Sequence, residues 1–251
     1  MLTIDRERNV VIVDGRTMPM DSAEAFAAVS DAYFEHATRM KHAYTFTWLG
    51  RPIIQLPDDV LRLHELIFEA QPDVILETGI AHGGSLVFHA TFCKVVGRGR
   101  VIGVDVEIRP HNRAAIEAHP LKPFITLVEG SSTDPSTIAA VHRHIAPGER
   151  VFVILDSNHS LAHVAAELEA YAGLVAPGSF IVALDGRVME LVAGTPFAPE
   201  RWSSDNPNSA VREFAARHPE FALSMLRPSF NESRVTEPAS GFRGGILQRI
   251  G

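Results

Sequence analysis

An α/β fold on a mostly parallel sheet is predicted by three features of the chain. Short apolar runs alternate with helix-like segments from Val74 onward. The first run, Val74-Ile75-Leu76, passes through Glu77-Thr78 into a turn carrying Gly79, Gly83 and Gly84. Glu77, Asp105, Asp156 and Asp185 then stand at the ends of successive runs. Apolar runs bounded by turn residues suit parallel strands buried on both faces. An open sheet of that kind collects its strand-end residues along one edge, where ligands bind.

Residues 1–57 are expected to form an N-terminal extension, and residues 58–251 the sheet domain. Met1–Ile4 and Asn9–Val13 read as a short hairpin ending at Asp14-Gly15. Asp21-Ser22 caps a predicted helix reaching about Met40, with Ala25, Phe26, Val29, Tyr33 and Phe34 on its apolar side. Tyr44–Pro57 is extended and aromatic-rich, and within it Trp48 and Gln55 could roof the cofactor cleft. Asp58 is read as the cap of the next helix, which carries Leu61, Leu63, Leu66 and Ile67 and ends before Pro72.

Strands are predicted at 74–78, 100–105, 125–131, 151–156 and 179–185, with helices starting after the glycine turn and near Pro110, Pro135 and Ser160. Residues 186–208, rich in Gly, Pro, Ser and Asn, read as a long loop or lid. A helix over 209–217 follows. Residues 221–226 and 244–250 can close the sheet as an antiparallel pair, and 228–241 is a second loop.

Composition narrows the function. The chain has 251 residues, 46% of them hydrophobic, enough for one large domain with an extension. Its 23 Lys and Arg against 30 Asp and Glu give a net charge of -7, which argues against nucleic acid or an anionic membrane as the main partner. The one cysteine, Cys93, lies in an apolar helical pattern and forms no intrachain disulfide. No run approaches a membrane span, and residues 1–13 are too charged for a signal peptide, so a cytoplasmic protein is expected.

The glycine turn decides between cofactors. A dinucleotide fingerprint wants G-x-G-x-x-G at the entry to a helix. Here the spacing is Glu77-x-Gly79-x-x-x-Gly83, which is similar to the loop of class I S-adenosylmethionine-dependent methyltransferases. The cofactor-binding set is then Glu77, Gly79, Gly83 and Ser85 from the loop, with Asp105, Ser131 and Asp156. Asp105 ends the second strand, where a carboxylate accepts ribose hydroxyls. Ser131 and Ser132 are placed to meet the adenine, although capping of the helix at Asp134-Pro135 explains them almost as well.

Leu155-Asp156-Ser157-Asn158-His159 is the second informative stretch. Asp156 can face both cofactor and substrate, and His159 can act as general base at physiological pH. His159-x-x-x-His163 has zinc-binding spacing but lacks the intervening Glu of a metalloprotease helix. Asp156 with Asp185 is the better metal pair, because hard carboxylate oxygens suit Mg²⁺. Capping by Asp156 and Asn158 is the competing structural explanation.

Eight segments, in order, resemble the cephalosporin hydroxylase / rhamnosyl O-methyltransferase family. They are Trp48-x-Gly50-x-Pro52-x-x-Gln55-x-Pro57-x-Asp59, Pro72-Asp73-x-Ile75-x-Glu77-x-Gly79, Gly83-Gly84-Ser85-Leu86, Gly103-Val104-Asp105, Leu155-Asp156-Ser157-x-His159, Val164-x-x-Glu167-Leu168-x-x-Tyr171, Pro177-Gly178-Ser179-Phe180 and Gly244-Gly245. The resemblance implies a Rossmann-like class I methyltransferase fold with a seven-stranded sheet. It also implies S-adenosylmethionine, often Mg²⁺, and a homo-oligomer.

The family's metal site uses the aspartate matched by Asp156 and a Glu-Asp pair after the fifth strand. Asp185 matches the second member of that pair, while Leu184 stands where the glutamate is expected and cannot ligate a cation. In related catechol-type enzymes a lysine base follows the aspartate by three positions, the spacing His159 has here. The expected activity is methyl transfer to a hydroxyl of a small molecule, a sugar or secondary metabolite, with Asp156 and His159 catalytic and Asp156 and Asp185 as metal ligands. Its rivals are a non-catalytic or metal-independent protein on the same fold and a nicotinamide-dependent oxidoreductase.

Overall fold

A computed structural model describes residues 1–251. Strands β1 (Leu2–Asp5), β2 (Val10–Val13) and β3 (Arg16–Pro19) form a small antiparallel sheet. Asp14 and Gly15, with φ of 46° and 83°, make the two-residue turn that joins β2 to β3. That turn was expected to end a hairpin; it opens a second one, and β3 escaped notice because Met18 is its one buried residue. Helix α1 (Ala23–Arg39) is capped by the Ser22 hydroxyl, which accepts from the Ala25 amide at 3.1 Å.

The extended segment folds into a two-strand hairpin, β4 (Thr47–Trp48) and β5 (Arg51–Pro52), through the positive-φ pair Leu49-Gly50. Helix α2 (Pro57–Ala70) follows with Pro57 in its first turn. Leu56, not Asp58, holds the cap position; Asp58 and Asp59 lie in the first turn, where the helix dipole favours negative charge.

From β6 (Val74–Thr78) the chain alternates through α3 (Gly84–Val96), β7 (Arg100–Asp105), α4 (Pro110–Glu117), β8 (Ile125–Glu129), α5 (Pro135–Arg143), β9 (Val151–Leu155), α6 (Leu161–Tyr171) and β10 (Phe180–Ala183). Residues 186–208 are not the predicted loop. They contain α7 (Gly186–Val192) and a turn of 3₁₀ helix at Glu200–Ser203. Met189 and Val192, three apart, bury one face of α7 in spite of the breaker-rich composition. Helix α8 (Pro207–Arg217) starts two residues before the predicted point, with the Asn206 side chain accepting from the Ser209 amide at 2.9 Å. Strands β11 (Phe221–Leu223) and β12 (Ile246–Arg249) close the sheet, and 228–241 holds no regular element.

The seven-stranded sheet runs β11-β12-β10-β9-β6-β7-β8. Strands β6 to β10 are mutually parallel, and β12 is antiparallel to both β10 and β11. This is the doubly wound arrangement, with its order reversing between β6 and β9. One core fills the face under α2 and α3 with Leu63, Leu86 and Phe152; the other lies under α6 and α8 with Leu168, Tyr171 and Phe214.

The N-terminal extension is docked at two places. Trp48 donates to the Thr91 hydroxyl at 3.0 Å and packs edge-on against Phe88. Gly84 permits this approach: a Cβ there would lie 2.1 Å from the Pro52 carbonyl oxygen. At the other end Asp31 on α1 pairs with Arg187 on α7 and with Arg243 at 3.3 Å. No helix is long and apolar enough to cross a membrane.

Glu77 on β6 and His89 on α3 are both fully buried, with 3.8 Å between Oε2 and Nε2 and no hydrogen bond on either side chain. Burial pushes the Glu77 carboxyl up to about 8 and the His89 imidazole down to about 3, so the pair is neutral at pH 7. An unfolded Glu77 titrates near 4.5 and the folded one near 8, so between these values the folded chain binds the extra proton. Stability therefore falls as pH rises through that window. Glu77→Gln should raise Tm relative to wild type by an increment that grows across it. Thermal denaturation as a function of pH checks this; a pH-independent difference would show that Glu77 ionises normally.

Candidate functional site

The sheet's order reverses between β6 and β9, and a cleft of about 480 Å³ opens at the carboxyl ends of these strands. Gly79 follows β6 with φ of 81° and runs so close to the neighbouring strand end that a Cβ would sit 2.0 Å from the Asp156 carbonyl oxygen. Asp105, at the end of β7, shapes the rest of the loop. Its Oδ2 accepts from the amides of Ile80 (2.9 Å) and Ala81 (3.2 Å), and its Oδ1 from Glu107 (3.1 Å). With both sites on Oδ2 taken, Oδ1 keeps acceptor capacity for a ligand hydroxyl. From the extension, Arg51 donates to the His82 carbonyl at 3.1 Å and to Asn112 Oδ1 at 2.9 Å; Asn112 donates to the Ala81 carbonyl at 3.0 Å.

Of the predicted cofactor-binding residues, Gly79, Asp105, Ser131 and Asp156 line the cleft. Glu77, Gly83 and Ser85 do not. Glu77 shares the α3-facing side of β6 with Ile75, as the period of two along a strand dictates, and its carboxyl is spent against His89. A Cβ on Gly83 would lie 2.4 Å from Ile116 Cδ1, so this glycine serves helix packing. Ser85 is buried in the first turn of α3.

Tyr44, Ile54 and His163 line the cleft without having been assigned to the cofactor, and Ser132 lines it beside Ser131. For His163 the signal was present: it lies on α6 one helical turn before Glu167 and directly precedes the quoted Val164–Tyr171 segment. The buried Glu167 accepts from the Ser157 hydroxyl at 2.7 Å and approaches His163 Nε2 at 3.6 Å, and it raises the pKa of that imidazole. His163 Nε2 is 3.1 Å from the Ser132 hydroxyl, and Tyr171 donates to the Ser132 carbonyl at 2.6 Å. Side chains of α6 thus tie the loops after β8 and β9 into one wall.

The opposite edge of the cleft carries Asp156, His159 and Asp185. His159 Nε2 lies 3.4 Å from Asp185 Oδ2 and 4.0 Å from Asp156 Oδ1. Asp185 sits at the head of α7 in the left-handed region, φ 63°, a conformation that costs a non-glycine residue free energy. Burial, with the Asp185 charge second, holds the Asp156 carboxyl well above its usual range. Ligand atoms of the three residues lie within 4.8 Å of one another, a spacing that suits one divalent cation. Two carboxylates fit Mg²⁺ that keeps several waters. Leu184 is buried in the adjoining wall and supplies no ligand.

Comparison with known proteins identifies the family. The Rhamnosyl O-methyltransferase/CmcI family profile matches residues 40–242. A rhamnosyl O-methyltransferase of Mycobacterium bovis is 29% identical over 175 residues, covering 66% of this chain and 69% of its own. The Mycobacterium leprae protein of the same name is 30% identical over 147 residues, covering 57% and 62%. Among solved structures, a CmcI variant with Mg and SAM superposes with a TM-score of 0.54 at 20% identity, covering 83% of this chain and 78% of its own. An O-methyltransferase from Bacillus cereus in complex with SAH gives 0.54 at 17% identity, covering 88% and 91%. The chain belongs to the rhamnosyl O-methyltransferase/CmcI family and is an S-adenosylmethionine-dependent methyltransferase.

Proposed function

We propose that the protein transfers the methyl group of S-adenosylmethionine to a hydroxyl of a small molecule, a sugar in the first instance. The observation that carries this reading is the Asp156–His159–Asp185 cluster at one edge of the cleft, where the Gly79 loop packs against Asp156. The mycobacterial relatives, named for a rhamnosyl acceptor, support the sugar. In this reading the donor's ribose hydroxyls bind Asp105, its adenine lies toward Ser131 and Ser132, and its sulfonium end approaches Asp156 across Gly79. Residues 58–251 hold the donor, and residues 1–57 roof the acceptor end.

The reaction is an in-line displacement. The acceptor oxygen forms a bond to the methyl carbon as the carbon–sulfur bond breaks, and sulfur keeps the electron pair as a thioether. The hydroxyl proton passes to His159 Nε2, and the Asp185 carboxylate 3.4 Å away stabilises the imidazolium. Most of the rate comes from holding nucleophile, methyl and sulfur in line, since orientation contributes up to about 7–11 kcal/mol in well-organised systems. Mg²⁺ held by Asp156 and Asp185 would lower the hydroxyl pKa and orient the acceptor. The magnesium-bound CmcI neighbour supports the ion, and Leu184 predicts that it is held weakly.

His159→Ala should lower kcat by about 10²–10⁴-fold, with little change in S-adenosylhomocysteine affinity by calorimetry. Undiminished turnover would refute the base. Leu184→Glu restores a third carboxylate and should tighten Mg²⁺ binding, read by calorimetric titration of the S-adenosylhomocysteine complex. Unchanged or weaker binding would place the ion elsewhere. Heat on titration with a nicotinamide nucleotide, and none with S-adenosylhomocysteine, would overturn the reading at its root.

A further inference from the structure

A second cavity, of about 200 Å³, lies beyond the Asp156–Asp185 edge. It shares Tyr44, Ile54, Asp156 and Asp185 with the first, so molecules in the two would meet at those carboxylates. Its roof comes from the extension, through Ala37 on α1 and residues 54–56 before α2. One part of its lining is apolar, with Leu63, Leu184, Val188 and Phe242. Its polar points include Gln55 and Asp59 beside the two shared carboxylates.

Gln55 is the anomaly. Its Nε2 and Oε1 are both out of water's reach, and neither has a hydrogen-bond partner. A primary amide offers two donors and two acceptor lone pairs, and native proteins rarely leave such a group buried and unpaired. Gln55 lines the cavity wall, and a rotation of its side chain toward that space would give the amide its partners on a bound ligand. Asp59 is engaged differently. Its Oδ1 accepts from the Gly241 amide at 2.9 Å, and burial raises its carboxyl to about 7. Gln55 is therefore the buried amide of this wall left wholly unpaired.

Leu184 sharpens the point. A chelated metal would otherwise select an acceptor by its adjacent oxygens, but this part of the wall is apolar. Beyond any orientation at the two shared carboxylates, selection among acceptors then falls to an amide and to aliphatic contact.

Resting on the reading of the first cavity as the donor site, we propose that Gln55 is the specificity-determining residue of the acceptor site. Its amide pairs with the hydroxyl next to the one methylated, while the apolar face of the sugar ring lies on Leu63, Leu184 and Phe242. Losing this pairing weakens acceptor binding without touching the donor.

The test uses the full-length protein with S-adenosylmethionine and methyl glycosides of hexoses and 6-deoxyhexoses, with catechol as the flat vicinal diol for comparison. Gln55→Leu keeps the side chain's bulk and removes the pairing; Gln55→Glu keeps acceptors and removes donors. For the best glycoside, Gln55→Leu should raise KM about tenfold, the equivalent of one lost hydrogen bond. kcat should change less, S-adenosylhomocysteine affinity by calorimetry should hold, and Gln55→Glu should recover part of KM. A crystal of the wild type with S-adenosylhomocysteine and that glycoside should show the ring against Gln55.

Unchanged KM in Gln55→Leu, a ring bound elsewhere, or turnover of catechol with no glycoside used overturns the proposal. So does the absence of turnover and of density with every glycoside in protein that binds S-adenosylhomocysteine. Failure of the wild type to bind S-adenosylhomocysteine instead overturns the donor reading beneath it.

Discussion

The closeness of Gly79 to the Asp156 carbonyl is the constraint on which the site depends. Two parallel strands, β6 and β9, diverge at their carboxyl ends because the sheet winds in opposite senses on either side of them. The turn after β6 must cross that opening in van der Waals contact with the backbone after β9, and a side chain would fill the gap. Everything that faces the cleft is positioned relative to this contact. Asp105 fixes the outer half of the loop from β7, and Asp156 enters from β9.

Polar groups in the surrounding shell are accommodated in different ways. Asp105, Glu167 and Tyr171 make hydrogen bonds of 2.6–3.2 Å that tie neighbouring loops together. Glu77 and His89, behind the loop, solve the same problem by being neutral. At the cleft edge Asp185 carries backbone strain and an exposed carboxylate next to the raised Asp156. Strain and unpaired polarity gather where chemistry is expected.

Legibility in the sequence followed the range of the interactions. The strands from β6 to β10 were readable because burial on both faces forces continuous apolar runs such as Val151–Leu155. The Asp156, His159 and Asp185 set was readable because strand ends converge by topology. Glu77 was misplaced because the motif names a residue without its face; alternation from Ile75 already pointed it at α3. Helix α7 was hidden by glycine and proline around a single apolar turn. The role of Gln55 was only half visible: its place over a cleft could be suspected, but its orphaned amide is a property of packing between α1, α2 and α7.

The two cavities draw on different parts of the chain. More than half of the residues around the smaller one come from 37–56, whereas the larger one takes only Tyr44 and Ile54 from that region. If the larger cavity takes the donor and the smaller the acceptor, as proposed, the two recognitions draw on largely separate stretches that meet at four shared residues. A lineage could exchange its leader, or drift in it, and acquire a new clientele of hydroxylated molecules while inheriting the methyl-donating apparatus intact.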